Sequence, residues 1–325
     1  MSTQPVISAA PPVLWTTVDL KQAVGEAQKR GDIVKGMIPS ASVNIVVGES
    51  GIGKSPLFYD MCIRVAAGLP FLGYETTGGP TVMVDFENGA DRVQLCETLA
   101  WHAGQQRVPK DFFHDPEPGV DFDAKVRHYK PVLVVIDSLK LFNPSALDGN
   151  GVVALHMLKK LQALARETGT AFLLIHHLRK TDRKVELPDL NVTPILDWLQ
   201  EAAGTRSFIN QTDVRMGVSA DRKAKVESLV LKFFVKLRGE YGPVYVERIF
   251  EEGEPVGYRR LSGPALLRNT EYERLFAILP DQFRYCEAEK VTGKRSSSLV
   301  HFIRKCEAVG ILSKDPLGYY RKVPC

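Results

Sequence analysis

The chain has 325 residues, 44% hydrophobic and 25% charged, the balance of an ordinary globular protein with room for about two domains. Its formal net charge of +4 is uneven: residues 264–325 hold 11 Lys/Arg against 7 Asp/Glu, and the remainder balances, so the tail is where an acidic partner would dock. The five cysteines form no CxxC pair and no apolar run reaches membrane length, which excludes a disulfide framework, a structural zinc site and a spanning helix; a cytosolic chain with reduced thiols and no signal peptide is expected.

Residues 1–35 read as an N-terminal segment, Pro-rich at first, with a short helix over Val18–Lys29. From Ser42 short apolar runs alternate with amphipathic helices. Strands are predicted at Val43–Val47, Thr81–Phe86, Val132–Ile136 and Ala171–Ile175. They are nearly continuous in Val, Ile and Leu, as for strands buried on both faces. Helices are predicted at Lys54–Ala67, Ala90–Ala103 and Val152–Glu167, the last with Asn150 as its cap and Gly169 just past its end. The alternation predicts an α/β fold with a mostly parallel sheet and right-handed crossovers. Thr181 to Asp197 is polar and without period. Strands follow at Leu229–Leu237 and Val244–Phe250, around Gly239 and Gly242.

Gly263-Pro264 marks a boundary, so that residues 36–263 form the main domain and 264–325 a second one. Thr270-x-x-Glu273 reads as a capping box, with Tyr272, Leu275, Phe276 and Leu279 on one helix face. Helices at Cys286–Val291 and Ser296–Val309 and a hairpin of Ile311–Lys314 with Tyr319–Lys322 complete a winged helix-turn-helix. Its third helix, starting at Lys294, Arg295 and three serines, is the expected contact with duplex DNA. The competing reading is a helical cap that mediates assembly.

Five motifs carry chemistry. Gly48, Glu49, Ser50, Gly51, Ile52, Gly53, Lys54 and Ser55 match GxxxxGK[ST] between a strand and a helix. Backbone amides and the helix N-terminus would cradle the phosphates of ATP, Lys54 would reach the β and γ phosphates, and Ser55 would ligate Mg²⁺. Pro56 falls in the first helical turn, where a missing N–H is tolerated. An apolar strand ending in Asp137 would supply the second Mg²⁺ ligand. Asp85 and Glu87 end the strand between them; Glu87 is the candidate for orienting the attacking water, and the pattern leaves Asp85 open. His176 and His177 end another buried strand and face opposite sides, so one of them can meet the nucleotide; no Cys or third His nearby makes a zinc site. Lys236 and Arg238 share one face at a strand end, placed to act on the γ-phosphate of a neighbouring subunit.

Together these residues resemble the RecA-like P-loop ATPases, and within them the RepA-type hexameric replicative helicases of plasmids and mobile elements, over about residues 30–250. The resemblance implies Glu87 as catalytic base, His177 as γ-phosphate sensor and Lys236 with Arg238 as the trans-acting pair. It implies that 181–200 is the mobile loop facing DNA in a ring's channel, and that Ala203-Gly204-Thr205-Arg206-Ser207 is the turn after it. The implied activity is Mg-ATP hydrolysis coupled to translocation on single-stranded DNA and duplex unwinding by a homohexamer, with no membrane partner. An ATP-switched DNA-binding regulator and a recombinase-like filament are the alternatives. The basic C-terminal region is a departure from the short plasmid helicases.

Overall fold

A computed structural model describes residues 31–86, 92–146, 151–178, 188–202, 207–221, 228–236, 238–251, 254–294 and 296–323. The expected helix at Val18–Lys29, Asn150, Glu87 and residues 203–206 lie outside these. The strands are β1 (Asp32–Val34), β2 (Ile38–Pro39), β3 (Val43–Gly48), β4 (Thr81–Asp85), β5 (Phe112–Asp115), β6 (Leu133–Asp137), β7 (Ala171–His177), β8 (Val214–Ala220), β9 (Ser228–Val235), β10 (Gly239–Glu251), β11 (Glu254–Arg260), β12 (Gln282–Phe283), β13 (Leu312–Lys314) and β14 (Tyr320–Lys322). The helices are α1 (Lys54–Ala67), α2 (Arg92–His102), α3 (Phe122–Tyr129), α4 (Leu139–Phe142), α5 (Gly151–Thr168), α6 (Ile195–Trp198), α7 (Ser207–Gln211), α8 (Thr270–Ile278), α9 (Tyr285–Thr292) and α10 (Ser296–Ala308).

Nine strands form one sheet in the order β11-β10-β9-β8-β3-β7-β6-β4-β5. From β8 to β5 all neighbours run parallel, and β9, β10 and β11 are added antiparallel. This is a RecA-like α/β core, with β7 between the P-loop strand β3 and the Asp137 strand β6. The apolar runs are long because both sheet faces are covered. On one face Leu173 and Ile175 pack with Leu57, Phe58 and Tyr59 of α1 and Leu99 of α2; on the other Phe172 and Leu174 pack with Phe122 of α3 and Leu158 and Leu161 of α5. The antiparallel strands curl over α1, for Val246 of β10 and Tyr258 of β11 belong to the same cluster as Leu57 and Phe58.

Several expectations need correction. β1 lies inside the stretch read as an N-terminal segment, yet Ile33 and Val34 are buried in the α1 cluster. The strand read to Leu237 ends at Val235. Residues 188–200, read as part of a channel loop, are packed: Leu190, Ile195, Trp198 and Leu199 are buried. The Trp198 indole N–H donates to the Pro188 carbonyl at 3.0 Å, and the ammonium of Lys232 on β9 donates to the Thr193 carbonyl at 2.9 Å. Ile195, Trp198 and Leu199 stand at the helical i, i+3, i+4 spacing on and just past α6, and with Leu190 they anchor this segment on the fold. The first helix past the boundary is capped by Asn269, whose side chain accepts from the N–H groups of Glu271 and Tyr272, and not by Thr270, which is already its first helical residue. Helices α8, α9 and α10 share a third apolar cluster with a small antiparallel sheet, β12-β14-β13; Leu275, Phe283, Leu299, Phe302 and Cys306 are at its centre.

Candidate nucleotide site

β3 delivers Gly48 to the carboxyl edge of the sheet, flanked in register by His177 of β7 and Val218 of β8. A Cβ on Gly48 would collide with the Val218 carbonyl oxygen, so this position needs glycine. The chain then loops back into α1 through Gly53, the helix N-cap at φ 88°, in the left-handed region that favours glycine. Lys54, only 4% exposed, turns its ammonium back onto the loop: it donates to the carbonyls of Gly48 at 3.1 Å and Glu49 at 2.5 Å. A buried ammonium needs such acceptors, and phosphate oxygens entering the loop would replace them.

His177 Nδ1 lies 3.4 Å from the Lys54 ammonium. An ammonium only donates, so in this contact Nδ1 is the acceptor. His176 is 2% exposed and packs instead against Phe208 of α7, ring centroids 6.2 Å apart. The geometry thus separates two residues that the sequence left level: His177 shares the α1 face with Leu173 and Ile175, and His176 shares the opposite face.

Asp137 ends β6 with 1% exposure and pairs in register with Asp85 at the end of β4. Asp85 is held within the fold. It accepts from the Tyr59 hydroxyl at 2.9 Å and is ion-paired with Arg92 of α2 at 3.4 Å. Burial and then the Asp85 charge push the Tyr59 hydroxyl well above its ordinary pKa, so it stays a donor. Ser55, in the first turn of α1, and Asp137 are hard oxygen donors of the kind that hold Mg²⁺ together with phosphates and water. Among the described residues no group of three His, Cys, Asp or Glu could hold a metal ion.

Lys236 and Arg238 lie elsewhere. β9 runs antiparallel to β8, and Val235 pairs with Val214, the first residue of β8. Lys236 then donates its N–H to the Asp213 carbonyl at 2.9 Å. Both cations therefore sit at the sheet edge opposite Gly48, a strand length of about 20 Å from the P-loop of their own chain. Both are exposed. Arg238 forms a two-pronged pair with Asp32 of β1, at 2.7 and 3.0 Å. Burial raises the Asp32 carboxyl, but the Arg238 hydrogen bonds and the Gly36 N–H outweigh it and its pKa falls below the ordinary value.

Sequence reasoning missed Arg92, Asp32 and Arg248. Arg248 of β10 stands over Gly53, its guanidinium at the mouth of the loop. Nothing local marks it; only the curl of the sheet over α1 joins residues so distant in the chain.

A P-loop closing on a buried lysine, with a buried Asp at the end of a parallel strand of a RecA-like sheet, defines a nucleotide-hydrolysing P-loop ATPase site. The AAA domain family matches residues 9–183, more than half of the chain, and the chain belongs to it. The match spans the P-loop, Asp137 and both histidines and stops short of Lys236 and Arg238. No curated protein matches the chain in sequence. Among the described residues no helix is long and apolar enough to cross a membrane.

Proposed function

We propose that the protein is a ring-forming replicative DNA helicase that couples Mg-ATP hydrolysis to movement on single-stranded DNA. The observation that carries this reading is the position of Lys236 and Arg238 at the sheet edge opposite their own P-loop. They cannot reach that nucleotide. A neighbour packed head-to-tail brings one subunit's Arg238 edge to the next subunit's P-loop edge, and such a heterologous interface repeats until it closes into a ring. Within the site Lys54 binds the β and γ phosphates, and Ser55 and Asp137 hold Mg²⁺, which supplies charge neutralisation at the phosphates when bound. Glu87 orients the attacking water, a role that Asp85, tied to Tyr59 and Arg92, is poorly placed to share. His177 senses the γ-phosphate through its contact with Lys54, and the neighbour's Lys236 and Arg238 offset the charge that develops in the transition state. We read the C-terminal helices and small sheet as a winged helix-turn-helix that binds duplex DNA.

A nucleotide-switched regulator is favoured by a different observation: the exposed face of α10 carries Ser297, Ser298, His301, Arg304 and Lys305, a polar and basic helix face suited to a major groove. One experiment separates the two. ATPase rate is measured with and without single-stranded DNA, beside native mass and strand displacement. Turnover raised by single strands, with displacement by a closed oligomer, is the expected result. Site-specific duplex binding without displacement would move the assignment to the regulator.

A further inference from the structure

We propose that Arg248 is a ligand of the nucleotide's phosphate chain, supplied by the same subunit, in place of the backbone donor that Pro56 removes. The inference rests on the reading of the P-loop as a nucleotide site and adds a residue outside the loop itself.

A helix N-terminus holds an anion with the N–H groups that have no acceptor inside the helix. In α1 these belong to Gly53, Lys54, Ser55 and the third helical residue; the first bond back into the helix is Leu57 N–H to the Gly53 carbonyl at 3.4 Å. The third helical residue is Pro56, which has no N–H. One of four donors is missing where a phosphate must be held. At this same turn the Arg248 side chain lies across Gly53: a methyl group built there would be 2.6 Å from Nη2, 2.9 Å from Cζ and 3.2 Å from Nε. The approach is possible only because residue 53 has no side chain. β10 brings Arg248 in from the carboxyl edge, paired in register with Tyr258 of β11, and Tyr258 is itself buried among α1 residues. The anchorage of β11 on α1 therefore fixes where the guanidinium can go. A guanidinium offers several donors in one plane and binds two phosphate oxygens at once.

Arg248 and Arg238 divide the work differently. Arg248 meets the phosphates as soon as nucleotide enters, whether ATP or ADP. Arg238, from a neighbour, meets charge that develops during reaction. Loss of Arg248 thus weakens ground-state binding.

The test is equilibrium binding of Mg-ATP and ADP to the full chain, with folding checked by circular dichroism and melting. Arg248→Ala is expected to weaken both nucleotides about ten- to hundredfold, and Arg248→Lys by less. Pro56→Ala restores an N–H, so it should recover much of the affinity of Arg248→Ala while changing the wild type little. Arg248→Gln, which keeps most of the stem's packing, replaces the alanine variant if that one does not fold. Unchanged affinity in a folded Arg248 variant overturns the proposal and leaves the P-loop reading intact, as do Pro56 and Arg248 effects that merely add. A wild-type protein that binds neither nucleotide overturns both.

Discussion

His176 and His177 are neighbours on β7 and face opposite sides of the sheet. On the proposed assignment His177→Ala should leave ATP affinity within a few-fold and lower single-turnover hydrolysis about a hundredfold, the scale for loss of one donor near the transferring phosphate. His176→Ala should do the reverse. It empties space beside Phe208, so it should lower the melting temperature while turnover in the folded fraction persists. If hydrolysis follows His176 instead, the face assignment fails. The sequence limited the choice, because adjacent strand residues alternate. It could not make it, because which face meets Lys54 depends on which side of the sheet α1 covers. The P-loop was legible for a different reason: its donors lie within eight consecutive residues and depend on no distant partner.

Among the elements, the connection between the main sheet and the last three helices turns on Arg268. It ends the short 3-10 turn Gly263–Leu267 with a φ of 50°, and its side chain is largely buried. That side chain ion-pairs with Asp221 at 2.6 Å, lies 3.5 Å from the Asn191 side-chain oxygen, and stacks over Tyr245 at 4.1 Å. The Asp221 carboxylate is fully buried. Arg268→Ala would remove a close partner of that buried charge, so a loss of about 3 kcal/mol is expected in chemical denaturation. Adding Asp221→Asn should return part of it; a single variant as stable as wild type would mean that the pair does not tie the two regions. The same region shows why local patterns misread 188–202 and Thr270. Ile195, Trp198 and Leu199 do stand at helical spacing, but their helix is a single turn after Pro194, too short to read as a period, and it is placed by contacts with Gly217 of β8 and the Pro188 carbonyl. Thr270 and Glu273 fit a capping box, yet Asn269 one residue earlier is the cap, its side chain accepting from the N–H groups of Glu271 and Tyr272. β8, whose short run is interrupted by Arg215, Gly217 and Ser219, and β5 and β11 gave no strong period and were found only in the sheet.

At the scale of the whole molecule, the testable claim is that the active site is shared. Lys54→Ala and Arg238→Ala should each be nearly inactive alone. Mixed at fixed total protein, they should regain turnover, because an Arg238→Ala subunit keeps its P-loop and can use the finger of a Lys54→Ala neighbour. Turnover of the wild type should also rise steeply with concentration. A mixture that stays inactive while both variants assemble would argue against a shared interface. The family match and the parallel core establish the ATPase, and both were foreshadowed by strand–helix alternation. The position of Arg238 was not, since a strand-end pattern does not say which end of the sheet the strand reaches.

Because Arg238 and Gly48 occupy opposite edges of one sheet, the subunit has a front and a back. Under the proposed assignment, competent sites then count junctions rather than subunits. An open row of subunits always has one bare P-loop at one end and one idle Arg238 at the other. Asp32 gives that idle arginine a resting place. Only closure removes both ends, so joining the last two subunits completes a site without adding a single chain.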